Sequence, residues 1–261
     1  MVRGFLICAT ARAVIANVLA VRNMRRCARA VAVVGAAAAT GLAGITVPAQ
    51  AAENYGQYSM FGKRRAGQHW SGGQVGGQWA WKPLSSTTSE ISWGDPKKWP
   101  PSYAEKFVRS GDWLMLDGWR DNGTYYKLRV TKEQIGDVNC KNLKTFATSG
   151  PQHYVKWTIP STGYCLKAWG TITEQSSGKV VDFGHTQIWY PPASCSNRYL
   201  GKQTCIKQWE SWWDNNGSPG KPIKRKLDRD QYIARGQGMA FKIHQFYPKT
   251  WNSEAKSYWN W

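Results

Sequence analysis

Tyr126, Leu128 and Val130 alternate with Lys127 and Arg129, directly after Asp121-Asn122-Gly123. A period of two puts apolar side chains on one strand face and cations on the other, and Asn-Gly is a strong hairpin signal. Trp113–Arg120 and Thr124–Val130 therefore read as two strands across this turn. The pattern recurs at His153–Ile159, Tyr164–Thr173, Lys179–Tyr190, Thr204–Trp213 and Met239–Tyr247, with a further strand expected over Gln78–Lys82. About eight strands joined by Gly, Pro, Asn and Ser turns predict an all-β chain, an antiparallel β-sandwich or jelly-roll-like single domain with long loops. Nothing alternates helix with strand as a parallel sheet requires. Tyr103–Arg109 is expected as one short helix.

Export is the second constraint. The first 52 residues hold six Arg and no Lys, Asp or Glu. Met24-Arg25-Arg26-Cys27-Ala28-Arg29 is a basic segment, Ala30–Val47 is uncharged and apolar, and Pro48-Ala49-Gln50-Ala51 ends in an A-x-A site. That order predicts a secretory signal over 1–51, its working part 24–51, cleaved after Ala51. The stretch is too short and too rich in Ala and Gly for a membrane anchor, and no other segment predicts a span. The Ala/Arg-rich leader resembles in style those of high-GC Gram-positive bacteria. The expected product is secreted and monomeric. Residues 52–101 read as a flexible Gly/Gln/Pro-rich arm, 102–247 as the β domain, and 248–261 as an aromatic and basic tail.

Cleavage changes the composition that matters. Of six Cys, four remain: Cys140, Cys165, Cys195 and Cys205. An even set in an exported chain predicts two disulfides, and proximity in sequence favours Cys140–Cys165 with Cys195–Cys205. Neither a C-x-x-C nor a histidine at ligand spacing accompanies them, so no metal and no cofactor is expected. Removing six arginines leaves 29 basic against 16 acidic residues, a net +13. A cationic exported protein is suited to anionic partners: wall polymers, acidic polysaccharides, anionic lipid head groups or extracellular nucleic acid. The basic run Lys221–Arg229 comes with no nucleic-acid motif and reads as a solvated loop.

All 16 Trp fall after the signal. Those outside the expected strands include Trp93, Trp99, Trp251, Trp259 and Trp261, which are candidates for stacking on sugar rings. The catalytic candidates are Glu210, Asp117 and His185. Glu210 lies in Trp209-Glu210-Ser211-Trp212-Trp213-Asp214, where tryptophan walls could hold a carboxyl in the state a glycosidase needs. Glu210 and Asp214 share a face but stand about 13 Å apart by strand rise alone, so a partner must come from another strand: Asp117, Asp182 or Glu174. The plainer expectation is a core strand with Trp209, Ser211 and Trp213 on one side and Glu210 paired to a nearby Lys on the other. Asp117 is expected in an ion pair with Arg120 or Arg129. His185 follows Gly184, which could admit a close ligand approach. Three functions follow in order: non-catalytic binding of an extracellular polymer, glycan hydrolysis or elimination through Glu210, and envelope-directed cationic toxicity.

Overall fold

The computed structural model describes residues 52–59, 61–71, 74–93, 103–215, 221, 223–237 and 240–260; the expected signal over 1–51 lies outside them. The chain opens with β1 (Glu53–Asn54) and a 3-10 turn at Tyr55–Gln57, then β2 (Arg65–Ser71), β3 (Gln74–Pro83), β4 (Thr88–Trp93) and β5 (Tyr103–Ser110). Next come β6 (Trp113–Asp121), β7 (Thr124–Gly136), β8 (Lys144–Ala147), β9 (Gln152–Lys156), β10 (Thr158–Ile159) and β11 (Tyr164–Glu174). The last are β12 (Val180–Trp189), β13 (Ala193–Asn197), β14 (Gly201–Asp214), β15 (Lys224–Ala234), β16 (Ala240–Tyr247) and β17 (Trp251–Trp259).

The sandwich expectation is corrected to a barrel. Antiparallel pairing runs β7-β11-β12-β14-β15-β16-β17-β2-β3-β4-β5-β6, and β6 pairs back onto β7, which closes a ring of 12 strands. The return pairing joins Gly118–Asp121 to Thr124–Lys127, across the turn where Asn122 (φ 46°) and Gly123 (φ 85°) take the left-handed conformation that hairpin demands. A sandwich keeps sheet edges; closure removes them. Below Gly118, β6 leaves β7 and pairs β9 instead. Glu133, 2% exposed, ties the two sides of that opening: its Oε2 meets His153 Nδ1 at 2.5 Å and its Oε1 accepts from the His153 amide.

Four further corrections follow. Tyr103–Arg109 is strand, not helix. Tyr103 and Phe107 are four residues apart, a spacing that shares a face in either structure, and only tertiary pairing to β4 and β6 separates the two. Residues 65–93 supply barrel strands rather than an arm outside the domain, and Trp251–Trp259 is a barrel strand between β16 and β2 rather than a tail. Most of the basic loop becomes β15, with polar residues on both faces.

Eight strands make a barrel that side chains just fill; twelve leave room inside. The register of β14 against β12 and β15 shows how the room is used. At one end Tyr55, Tyr58, Ile159, Trp189, Ile206 and Ile233 form an apolar floor. The N-terminal segment closes this end: Tyr55 packs on Trp157 and Trp189, the Gly236 amide donates to Gln57 O, and Arg235 pairs with Glu53. Above the floor lies a polar layer, then the rings of Phe183, Trp119, Tyr126 and Trp212. Gly170 is needed where β11 crosses a bulge against β7: a Cβ there would stand 2.1 Å from Arg129 O. Both expected disulfides are present, Cys140–Cys165 and Cys195–Cys205. The second pins β13 over a small outer cluster with Leu200, Tyr232 and Phe241. No helix among the described residues is long and apolar enough to cross a membrane.

Candidate functional site

The polar layer is built from facing strand positions. Gln187, Glu210 and Arg229 stand opposite one another on β12, β14 and β15, and Gln208 faces Gln231 beside them. Arg229 Nε bonds Glu210 Oε1, which also accepts from Gln231 Nε2 at 2.9 Å. Gln208 Nε2 donates to Glu210 Oε2 at 3.2 Å. Desolvation pushes the Glu210 carboxyl up, but opposing effects led by the Arg229 charge outweigh it and bring the pKa down to about 2. Glu210 is therefore a buried, ionised and well-bonded carboxylate, not a carboxyl waiting for a proton.

The state of His185 follows from Trp189. Indole Nε1 can only donate, and it donates to Gln187 Oε1 at 3.0 Å. That fixes the Gln187 amide, whose Nε2 lies 3.2 Å from His185 Nδ1; Gln152 Nε2 lies 2.7 Å from the same atom. Nδ1 is thus the acceptor, and in the neutral ring the proton sits on Nε2. Nε2 is 3.4 Å from Glu210 Oε2 and has no hydrogen-bond partner, although His185 is only 4% exposed.

Above this layer opens a cavity of about 260 Å³, lined by Tyr103, Glu105, Leu116, Trp119, Tyr154, His185, Glu210, Trp212, Leu227 and Arg229. The Trp119 and Trp212 rings meet edge to face at 6.1 Å, and His185 stands edge-on to Trp212 at 5.0 Å. Tyr103 donates to Glu105 Oε1 at 3.1 Å. Burial raises the Glu105 pKa; Arg229 opposes the rise, Glu210 adds to it, and the Tyr103 bond opposes it. Burial, with Glu210 and Glu105 nearby, likewise holds the Tyr154 hydroxyl well above its ordinary value. Trp119 also borders a wider space of about 430 Å³ lined by Asp121, Glu174, Lys179 and Asp214.

Of the catalytic candidates, Glu210 and His185 come together. Asp117 does not: it points to the other face of β6, bonded to Arg129 and Tyr125 and 3.6 Å from Lys106, and these bonds and charges overcome desolvation to lower its pKa. Arg129 is one of its two expected partners. Asp182 is exposed and accepts from Asn215, while Glu174 lies in the wider space. The carboxyl that joins Glu210 is Glu105, hidden in the expected helix. Gly184 faces outward, where Ile223 covers it, so it gives no approach to His185. The faces of β14 are the reverse of the plainer expectation: Gln208, Glu210 and Trp212 point in, Trp209 and Trp213 out. Trp93 ends β4, and Trp251 and Trp259 bound β17; Trp99 and Trp261 lie outside the described residues. Among the described residues no cluster of His, Cys, Asp and Glu could hold a metal ion.

No protein-family model matches the chain, and no curated protein matches it. Two solved structures are similar at low scores. One is a lipoprotein candidate from Parabacteroides distasonis ATCC 8503, with TM-score 0.35 and 9% identity over 77% of this chain and 98% of that one. The other is an exported-protein candidate with YMCC-like fold from Bacteroides fragilis NCTC 9343, with TM-score 0.31 and 8% identity over 77% of this chain and 97% of that one. Scores this low leave the barrel resting on its own strand pairing.

Proposed function

We propose that this is an exported, non-catalytic binding protein that takes a sugar unit of an extracellular polymer into the open end of its barrel. One observation carries the reading: a cavity inside the ring, walled by Trp119, Trp212, Tyr103 and Tyr154, with Glu105, His185 and Arg229 converging on it. Aromatic faces stack on the apolar faces of sugar rings, and a few convergent polar groups fix orientation. Two disulfides suit an oxidising, extracellular setting. Net charge then serves attraction to an anionic wall, and the cavity serves recognition.

The states of three groups at the cavity favour binding over catalysis. Glu210 is saturated with donors, Tyr154 holds its proton, and His185 presents N–H. Tryptophan fluorescence and calorimetry against an oligosaccharide panel and purified cell wall test the proposal. Trp119→Ala should weaken binding by about tenfold or more, an aromatic anchor being worth that much. Retention of nothing on chitin, cellulose or cell wall at low salt sinks it.

One observation favours glycan hydrolysis as a second reading: the cavity holds two carboxyls pushed apart, Glu105 upward and Glu210 downward, as an acid and an ionised partner would be. Glu105→Gln abolishing a detected hydrolysis would establish it. Hydrolysis surviving both Glu105→Gln and Glu210→Gln would remove it.

A further inference from the structure

The wall of the cavity is amphipathic along one cross-strand row. His185, Trp212 and Leu227 are directly opposite one another on β12, β14 and β15. Neighbouring strands are about 4.8 Å apart, so the row sets one hydrogen-bond donor beside two apolar surfaces within the span of a few atoms. His185 Nε2–H has no acceptor, and Gln152, itself 1% exposed, leaves its Oε1 unpaired behind the ring. A buried donor without an acceptor costs free energy that an incoming oxygen recovers. Across the cavity stands Glu105, where Tyr103 donates to one carboxyl oxygen, Oε1, and the carboxyl can accept a further donor from the cavity.

Charge narrows the class further. Arg229 is matched by Glu210, and the wider space beside the cavity carries Asp121, Glu174 and Asp214 against Lys179. A second anion would enter a site whose one cation is already paired. A neutral group with a strong acceptor, a donor and a small apolar end fits all three surfaces.

We propose that the cavity selects an N-acetylated amino sugar. The acetamido carbonyl accepts from His185 Nε2–H, its N–H donates to Glu105, and its methyl packs on Trp212 and Leu227. This rests on the saccharide reading above and names its ligand class.

The test compares chitotetraose with cellotetraose by calorimetry on the purified protein. The two share a β-1,4 backbone and differ in acetamido against hydroxyl. Chitotetraose is expected to bind tighter by about tenfold or more, the discrimination one well-seated group gives. Equal or tighter binding of cellotetraose overturns the assignment while leaving sugar binding intact. Binding of neither overturns the saccharide reading itself. Leu227, half-buried on the cavity wall, can be shortened with little risk to the fold. Leu227→Ala should bring the ratio of the two affinities toward one, whereas Trp119→Ala should weaken both ligands alike. A ratio unmoved by Leu227→Ala refutes the methyl site.

Discussion

Arg229→Met leaves Glu210, 3% exposed, as a buried carboxylate without its cation. Breaking one side of a buried pair costs about 3–5 kcal/mol, because the remaining charge keeps its desolvation penalty. For a domain of this size that is a fall in Tm of roughly 6–20 °C. Removing both charges in Glu210→Met/Arg229→Met should cost less than the two single changes together, with a coupling of about 2–3 kcal/mol. Urea unfolding of the four proteins at pH 7 measures it. The same residue sets an acid limit. Its folded pKa of about 2 lies below the ordinary value of 4.5, so its stabilisation is complete above pH 4.5 and is lost as pH falls toward 2. That loss is about 3 kcal/mol in the wild type, and Arg229→Met should show a shallower acid dependence. Single variants whose losses add without coupling, or an unchanged acid profile, would refute the idea that the interior is organised around this pair.

Glu105 has the opposite sign. Its raised pKa penalises the folded state above that pKa, and the penalty disappears below 4.5. Glu105→Gln should raise stability at pH 8 and leave it unchanged at pH 3, read by thermal melts at both. Replacing Cys140 and Cys165 with Ser should cost about 3 kcal/mol by opening a loop of sequence separation 25, and the Cys195–Cys205 loop of separation 10 somewhat less; non-reducing peptide mapping must find these two pairs and no crossed ones. Gly170→Ala should destabilise by more than about 2 kcal/mol, since its Cβ meets backbone that cannot move aside. A neutral result in urea unfolding would show that the β7–β11 bulge is looser than described.

The sequence by itself determined many of the strands and turns and favoured one pairing of the sulfurs. Asn122-Gly123 pointed to a tight hairpin, the alternation at Tyr126–Val130 to a strand, and the even four Cys that follow the expected signal to both bridges. It also placed Glu210 and Asp214 on one face. What it did not determine was which face is inside. In an ordinary sandwich the apolar face wins, so Trp209 and Trp213 looked like core. A ring of 12 strands has more interior than side chains fill, and that space stabilises Glu210 only because Arg229, Gln231 and Gln208 arrive from other strands to bond it. Glu105 and Arg229 were concealed for related reasons. The spacing of Tyr103 and Phe107 satisfies helix and strand alike, and a strand polar on both faces, such as Lys224–Ala234, reads as a loop. Alternation is a property of the chain; the side that faces inward depends on partners far away in sequence, and only closure of the barrel supplies them.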